Sequence, residues 1–294
     1  RWAESAAAVT ISIVHLAHGN PAQHLSTLQL HDPDPDKPDA LVTRLAPAIN
    51  SRLRPAPERP DPKPLPSNAG LSFQGSIVLG MGFVLTPDER DALVRKNPRN
   101  AELIFPYLGG EEVNTNPDQG FDRYVINFGQ MELSEAERWP DLLKIVRDKV
   151  KPERDKNNRE VRKKYWWRFG EVAPALYESI RPLPRCLATA RTSKHTVFSL
   201  QPSNRVFSEN LVVFASERFC TLSVLSSRLH VAWVISYSST LESRQGYRPS
   251  DCFETFPFPK PDPRTEIPEL ETIGECLYTA RAAYMTATQQ GLTK

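Results

Sequence analysis

No run of apolar residues in this sequence is long enough to cross a bilayer. The longest, around Val9 to Ala17, is interrupted by Thr10, Ser12 and His15 and falls far short of the ~20 residues a membrane helix needs. No cleavable signal stands out: Glu4 follows Arg1 almost at once, and no A-x-A site closes an apolar stretch. The cysteines are few and far apart. Cys186, Cys220, Cys252 and Cys276 lie 34, 32 and 24 residues from one another, with no C-x-x-C pair and no zinc-ribbon spacing. Reduced thiols in a cytoplasmic protein are expected. Neither G-x-S-x-G nor H-E-x-x-H occurs, so two common hydrolase signatures are missing. An initiating methionine is missing too, and a chain that starts at Arg1 is expected to be a piece of a longer polypeptide.

What is present is enough for a core. The 294 residues are 39% hydrophobic and 24% charged, which fits one large globular domain or two modest ones. Lys and Arg number 37 and Asp and Glu 35, a net of +2 that taken whole indicates no special partner. Proline is in excess at 27 residues, where a share of about 5% is usual. Ten of these lie between Asp32 and Pro66. Proline removes backbone donors and fixes φ, so this stretch reads as an extended connector with polyproline character, interrupted by a short helix over 40–53.

Coarse elements follow from pattern. Val9–Leu16 alternates as a strand. Ser76–Leu79 reads as a strand end, and Tyr124–Phe128, Leu187–Leu200 and Leu211–Ala215 as strands. Thr86-Pro87-Asp88-Glu89 predicts a capped helix running to Lys96. Ser134 and Glu137 predict a capping box, and Pro140 a break or restart before a stripe of Leu142, Leu143, Val146 and Val150. One helix is expected over 217–238, with Leu222, Leu225, Leu229 and Trp233 at helical spacing, and a last one over 269–290. Strands and helices mix without a βαβ rhythm, so the expected class is α+β.

Candidate chemistry is thin. Gly80-Met81-Gly82 follows a strand but continues into Phe83-Val84-Leu85 rather than a helix, which argues for a turn and against a cofactor loop. His15, His18, His24 and His31 cluster without metal-ligand spacing. Glu111-Glu112 suits a capping or solvated role. No catalytic or metal-binding residue is assigned. The strongest feature is Lys144–Arg168, with eleven cations, four acids and a net of +7, so the remaining 269 residues carry −5. Cations neutralise phosphates, and the interleaved Tyr165, Trp166 and Trp167 could stack on bases. The alternative is a solvated helix end with the tryptophans in the core. A second candidate surface is Arg185–His195 with Asn204 and Arg205 at the next turn, where loop side chains could read base edges.

Seven stretches, in order and in spacing, resemble one family. They are F-Q-G-S-I-V-L-G-M-G-F at 73–83, P-Y-L-G-G-E-E-V-N at 106–114, V-I-N-F at 125–128, V-K-P-E-R at 150–154, W-W at 166–167, S-S-R-L-H-V-A-W at 226–233, and Y-R-P-S-D-C-F-E-T-F-P-F-P at 247–259. Together they are similar to the C-terminal half of MmeI-type (type IIL) restriction-modification enzymes and related adenine-specific DNA methyltransferases. The resemblance implies a nuclease domain, a helical spacer, an S-adenosylmethionine-dependent N6-adenine methyltransferase and a target-recognition domain in one polypeptide. It implies the methyltransferase tail at 1–30, a connector at 31–69, the recognition domain at 70–260 and the start of a helical region at 261–294. N-P-P-[FY] and E-x-K are absent from this sequence. The fragment is therefore expected to be inactive alone and to bind no cofactor itself, with S-adenosylmethionine belonging to the upstream part. The expected partners are double-stranded DNA and the upstream methyltransferase domain, with no membrane. Phosphate contacts are expected from Lys149, Lys151, Arg154, Lys156, Arg159, Arg162, Lys163, Lys164 and Arg168. Base reading is expected from Arg191, Lys194, Asn204, Arg205, Glu242, Ser243 and Arg244. Two rivals remain: a non-catalytic protein-interaction module using the proline-rich connector and the aromatic 253–259 segment, and an independent enzyme.

Overall fold

The computed structural model describes residues 28–33, 41–46, 50, 58, 60–241 and 244–292, the first two ranges and residues 240 and 241 by their backbone alone. The chain divides into two units, Arg1–Pro62 and Lys63–Lys294. In the first, β1 (Leu28–Pro33) pairs antiparallel with β2 (Leu41–Ala46). The helix expected over 40–53 is thus corrected to a strand, in keeping with β-branched Val42 and Thr43 ahead of Pro47. The strand expected at Val9–Leu16, and His15, His18 and His24, lie outside the described residues.

The second unit opens with β3 (Ser72–Gln74) and reaches β4 (Val84–Leu85) through a single 3-10 turn at Met81–Phe83. Ser76 and Ile77 form isolated bridges to Ser208 and Glu171 rather than a strand end. Helix α1 (Pro87–Lys96) starts on a complete capping box: Glu89 N–H donates to Thr86 Oγ1 at 3.2 Å, and Thr86 N–H donates to Glu89 Oε2 at 2.9 Å. Next come β5 (Ile104–Leu108), α2 (Gly110–Thr115) and β6 (Arg123–Ile126). The short α3 (Leu133–Ala136) is capped by Glu132 and Glu135, so the Ser134–Glu137 box is corrected by two residues; the Glu135 carboxylate reaches the Glu132 N–H at 2.9 Å. Helix α4 (Pro140–Lys149) restarts at its proline and buries Leu142, Leu143 and Val146. Three short helices follow: α5 (Lys151–Asp155), α6 (Glu160–Lys164) and α7 (Pro174–Ile180).

Five strands follow, β7 (Arg185–Ala190), β8 (Thr192–Ser193), β9 (Ser199–Pro202), β10 (Val206–Phe207) and β11 (Leu211–Phe214), and all but β8 complete the two main sheets. One four-stranded sheet has the order β10-β5-β6-β4, parallel only at its β10–β5 pair. The other, β3-β11-β7-β9, is antiparallel throughout. Strict alternation shows why this second sheet is central. Leu187, Val212 and Phe214 face one apolar cluster, while Cys186, Ala188, Leu211 and Val213 face another. A sheet with both faces covered needs apolar residues at every position of its inner strands, and all four residues of β11 are buried.

The helix expected over 217–238 is corrected to two, α8 (Phe219–Leu225) and α9 (Arg228–Tyr237), bent by 55°. The break falls at Ser226-Ser227, where Ser227 Oγ accepts from the His230 N–H at 3.2 Å and starts a new helix. Leu229, expected on the apolar stripe, is therefore 78% exposed. No single helix among the described residues is long and apolar enough to cross a membrane. The small strands β12 (Thr240–Leu241) and β13 (Arg244–Gly246) join β8 in a third sheet, ahead of α10 (Pro249–Cys252). The aromatic segment after it turns inward: Phe253, Thr255 and Phe256 are buried. Buried Asn68 holds it there, its Nδ2 donating to the carbonyls of Phe253 and Phe256 at 2.9 Å each. Last, α11 (Pro268–Thr288) lies against α8, where a Cβ on Gly274 would stand 2.1 Å from the Phe219 carbonyl oxygen. The Glu271 carboxylate also accepts from the N–H groups of Phe219 and Cys220 at the start of α8. All four cysteines are free thiols.

His230 is a titratable group set deep in this core. Its ring is fully buried, its Nε2 lies 3.0 Å from Tyr247 Oη, and burial pushes its pKa down to about 3. The unfolded chain takes up this proton near the ordinary value of about 6.5. The neutral ring's contribution is thus complete above that pH and is lost as pH falls toward 3, at about 1.4 kcal/mol per unit. Urea unfolding at pH 7 and pH 5 checks this: the native chain should lose about 2 kcal/mol more than His230→Gln over that interval, and equal losses would contradict it.

Candidate nucleic-acid interface

The segment Lys144–Arg168 is neither a single helix nor wholly solvated. Its apolar and aromatic members turn inward. Val150 is fully buried, and Trp166 and Trp167 are 7% and 4% exposed within the cluster that also holds Phe83, Val125 and Leu142. The tryptophan indoles donate inward or pack edge to face, Trp167 Nε1 to the Met131 carbonyl at 2.9 Å. Neither ring is available as a stacking platform for bases.

Arg154 turns inward as well. It is 3% exposed, and its Nη2 donates to the carbonyls of Leu79 at 2.9 Å and of Val78 and Arg168 at 3.3 Å. No carboxylate stands within ion-pair distance of it among the described residues. Burial first, and the Arg162 charge second, hold its pKa below the ordinary arginine value. Arg154 therefore leaves the set of expected phosphate contacts: it is a structural pin. Arg168 is also largely tied down, donating through Nε to the Met131 carbonyl at 3.0 Å and pairing with Glu132 at 2.8 Å.

The other expected phosphate contacts differ in how free they are. Lys149 pairs with Glu89 at 3.6 Å, Lys151 with Asp155 at 2.7 Å and Lys163 with Glu160 at 2.8 Å. Such surface pairs are weak and exchange readily. Lys164 lies 5.2 Å over the Tyr165 ring and is exposed. Lys156 and Arg159 are exposed and Arg162 half-buried, and none of the three has an ion-pair partner among the described residues. From Lys156 to Lys164 the chain carries five cations and one acid, a net of +4. Arg147, left out of the expected set, is exposed and stands 5.8 Å over Trp166; its place on the polar face of α4 was the available signal.

The expected base readers divide between two ends of the central sheet. At one end β13 pairs with β8, Gln245 opposite Ser193 and Gly246 opposite Thr192. One register step further sets Arg244 level with Lys194, both exposed. Arg191 precedes them, half-buried, its carbonyl accepting from the Tyr247 N–H at 2.8 Å. Arg248 emerges beside them and was missed by the sequence reading. Asn204 and Arg205 lie beyond β9, at the opposite end of β7, about 20 Å along the strand direction at ~3.3 Å per residue. Arg205 is corrected further. It is 9% exposed, donates to Gln201 Oε1 at 2.8 Å and lies 5.4 Å over Phe121, so it serves the core. Glu242 and Ser243 lie outside the described residues.

Other candidates carry little. The Gly80-Met81-Gly82 turn fits no cofactor phosphate: a Cβ at Gly82 would stand 2.5 Å from Lys149 Cβ, so helix α4 already fills that side. Glu112 caps α2 through the Gly109 N–H at 3.1 Å and receives Arg123 Nε at 2.9 Å. A hollow beside Cys220, Val224 and Phe258 offers about 10 Å³, room for one water. No cluster of three metal-ligating side chains occurs among the described residues.

These features sit within a recognisable domain. The family model of the MmeI target recognition domain matches residues 60–260, so the chain belongs to that family. No curated protein matches significantly. Among solved structures, the type IIL restriction-modification enzyme MmeI in complex with DNA is similar, with 18% identity and a TM-score of 0.68. The likeness covers 91% of this chain and 35% of that one, so the chain spans about a third of the enzyme it matches. The mixed α+β fold is shared.

The pin and the free cations should separate cleanly on mutation. Arg154→Met leaves three carbonyls without their buried donor and should cost about 2–4 kcal/mol in urea unfolding. Arg159→Met should stay within about 0.5 kcal/mol of the native chain. Equal stability of the two variants would contradict the assignment.

Proposed function

We propose that this chain is the DNA-reading part of an MmeI-type restriction-modification enzyme and that it docks on duplex DNA through its basic segment. The observation that carries the reading is the Lys156–Lys164 stretch, net +4 and with three unpaired cations, on a domain of the target-recognition family. Lys149, Lys151, Lys163 and Lys164 extend this surface, since their local pairs open readily to a phosphate. These contacts give affinity without sequence choice. Sequence choice falls to the Arg191, Lys194 and Arg244 corner, where guanidinium groups suit guanine O6 and N7.

In this proposal the parent polypeptide is cytoplasmic and transfers a methyl group to adenine N6, using S-adenosylmethionine in a domain upstream of this one, with an endonuclease fused to it. Extrusion of the adenine belongs to that domain. Phe253 and Phe256 of the aromatic 253–259 segment are buried, which weighs against a protein-binding role for them.

Titration with duplex DNA over a range of salt tests the docking surface. The logarithm of the binding constant should fall with the logarithm of salt by about 0.9 per neutralised phosphate. Changing Lys156, Arg159 and Arg162 together to Glu should lower that slope by about 2–3 and weaken binding to all sequences alike. A slope unchanged in a folded triple variant would contradict the surface. Arg244→Ala should instead leave the slope within about one and relax one position of the recognised site.

A further inference from the structure

The turn at Leu79–Met81 has no part in the docking surface described so far, yet it is the most unusual backbone beside it. Leu79 has φ +49, in the left-handed region, and Gly80 has φ +128. Bulky residues avoid that region, and an outlier of this kind persists only where its surroundings fix it. They do so here. Arg154 Nη2 holds the Leu79 carbonyl at 2.9 Å, Ile77 and Glu171 exchange two backbone hydrogen bonds of 3.0 Å, and Gly82 is seated directly on Lys149 and Val150. The product of this rigid footing is an apolar tip: Met81 is 71% exposed and Leu79 37% exposed.

Backbone outliers held this firmly cluster at active sites and ligand clamps, so the tip that this one presents is a candidate contact for a partner. The chemistry around it indicates which. Lys149, Arg154 and Arg162 outnumber the two acids at this turn, Glu153, whose Oε2 is 3.8 Å from where a Cβ on Gly80 would stand, and Glu89, which pairs with Lys149 at 3.6 Å. A second copy of this surface would be repelled, whereas a polyanion would be drawn to it. Methionine is unbranched and adaptable. It is among the side chains that proteins insert between base steps from the minor groove while flanking cations hold the phosphates.

We propose that Met81 is an apolar wedge that leans into a base step of the bound duplex, positioned by the Leu79–Gly80 turn, and that it adds affinity independent of salt. This rests on the DNA-docking reading and deepens it. The probe is duplex DNA enriched from a randomised pool by binding to the full 294-residue chain. Met81→Ala should bind about five- to tenfold more weakly, as expected for lost burial of an apolar side chain, with the salt slope of the native chain. Permanganate oxidation of a thymine at the contacted step should be enhanced by the native chain and by Met81→Leu, and lost with Met81→Ala. Because the side chain is exposed, all three chains should unfold at the same temperature. Native affinity and native permanganate reactivity in Met81→Ala would overturn the wedge while leaving the docking surface intact. Failure of the native chain to bind duplex DNA at all would overturn both.

Discussion

Arg154 donates to three backbone carbonyls from a position 3% exposed, with no carboxylate in ion-pair reach among the described residues. Burying a cation is costly unless its donors are satisfied; here the three carbonyls take up Nη2, while Nε is buried without a partner among the described residues. The consequence is geometric. One side chain ties the Val78–Leu79 turn and the Arg168 carbonyl to α5. Trp166 and Trp167, buried just ahead of Arg168, close the same stretch from its other end. The chain between Arg154 and Trp166 is therefore an excursion with both ends fixed, on which Lys156 and Arg159 are exposed and Lys163 pairs locally with Glu160. A surface with a net charge of +4 over Lys156–Lys164 is thus held in a fixed place by the interior, its one acid, Glu160, pairing with Lys163 alone.

The antiparallel sheet β3-β11-β7-β9 supplies the second constraint. Both of its faces are covered, so only its ends can present polar side chains. One end carries Arg191, Lys194 and Arg244 through the small sheet β12-β13-β8, and the other carries the turn at Asn204. In the proposed function, affinity and sequence choice then fall to different parts of one domain. That arrangement lets base-reading positions vary without loss of the phosphate-contacting surface.

Much of this was legible in the sequence where local chemistry decides. The Thr86–Glu89 capping box, the restart at Pro140 and the strand over Leu211–Phe214 follow from residue type and spacing. Other features depend on what the chain meets elsewhere. In a run of cations Arg154 reads like its neighbours, and only the approach of Leu79 turns it into a pin. Arg205 and Arg244 look equivalent on paper, but strand register sends one into the core and sets the other beside Lys194. The break at Ser226-Ser227 competes with an apolar stripe that continues through it in sequence, and the capping serine prevails. Family membership was legible because the seven stretches, between residues 73 and 259, all fall within the matched 60–260 range.

The central claim is that the excursion between Arg154 and Trp166 is where duplex DNA docks. Backbone hydrogen exchange, measured on the full chain with and without duplex DNA, tests it most directly. Docking there should slow exchange chiefly in residues 156–164, with little change in the buried strands β7 and β11. Slowed exchange confined to other surfaces, with residues 156–164 unchanged in the bound chain, would contradict it.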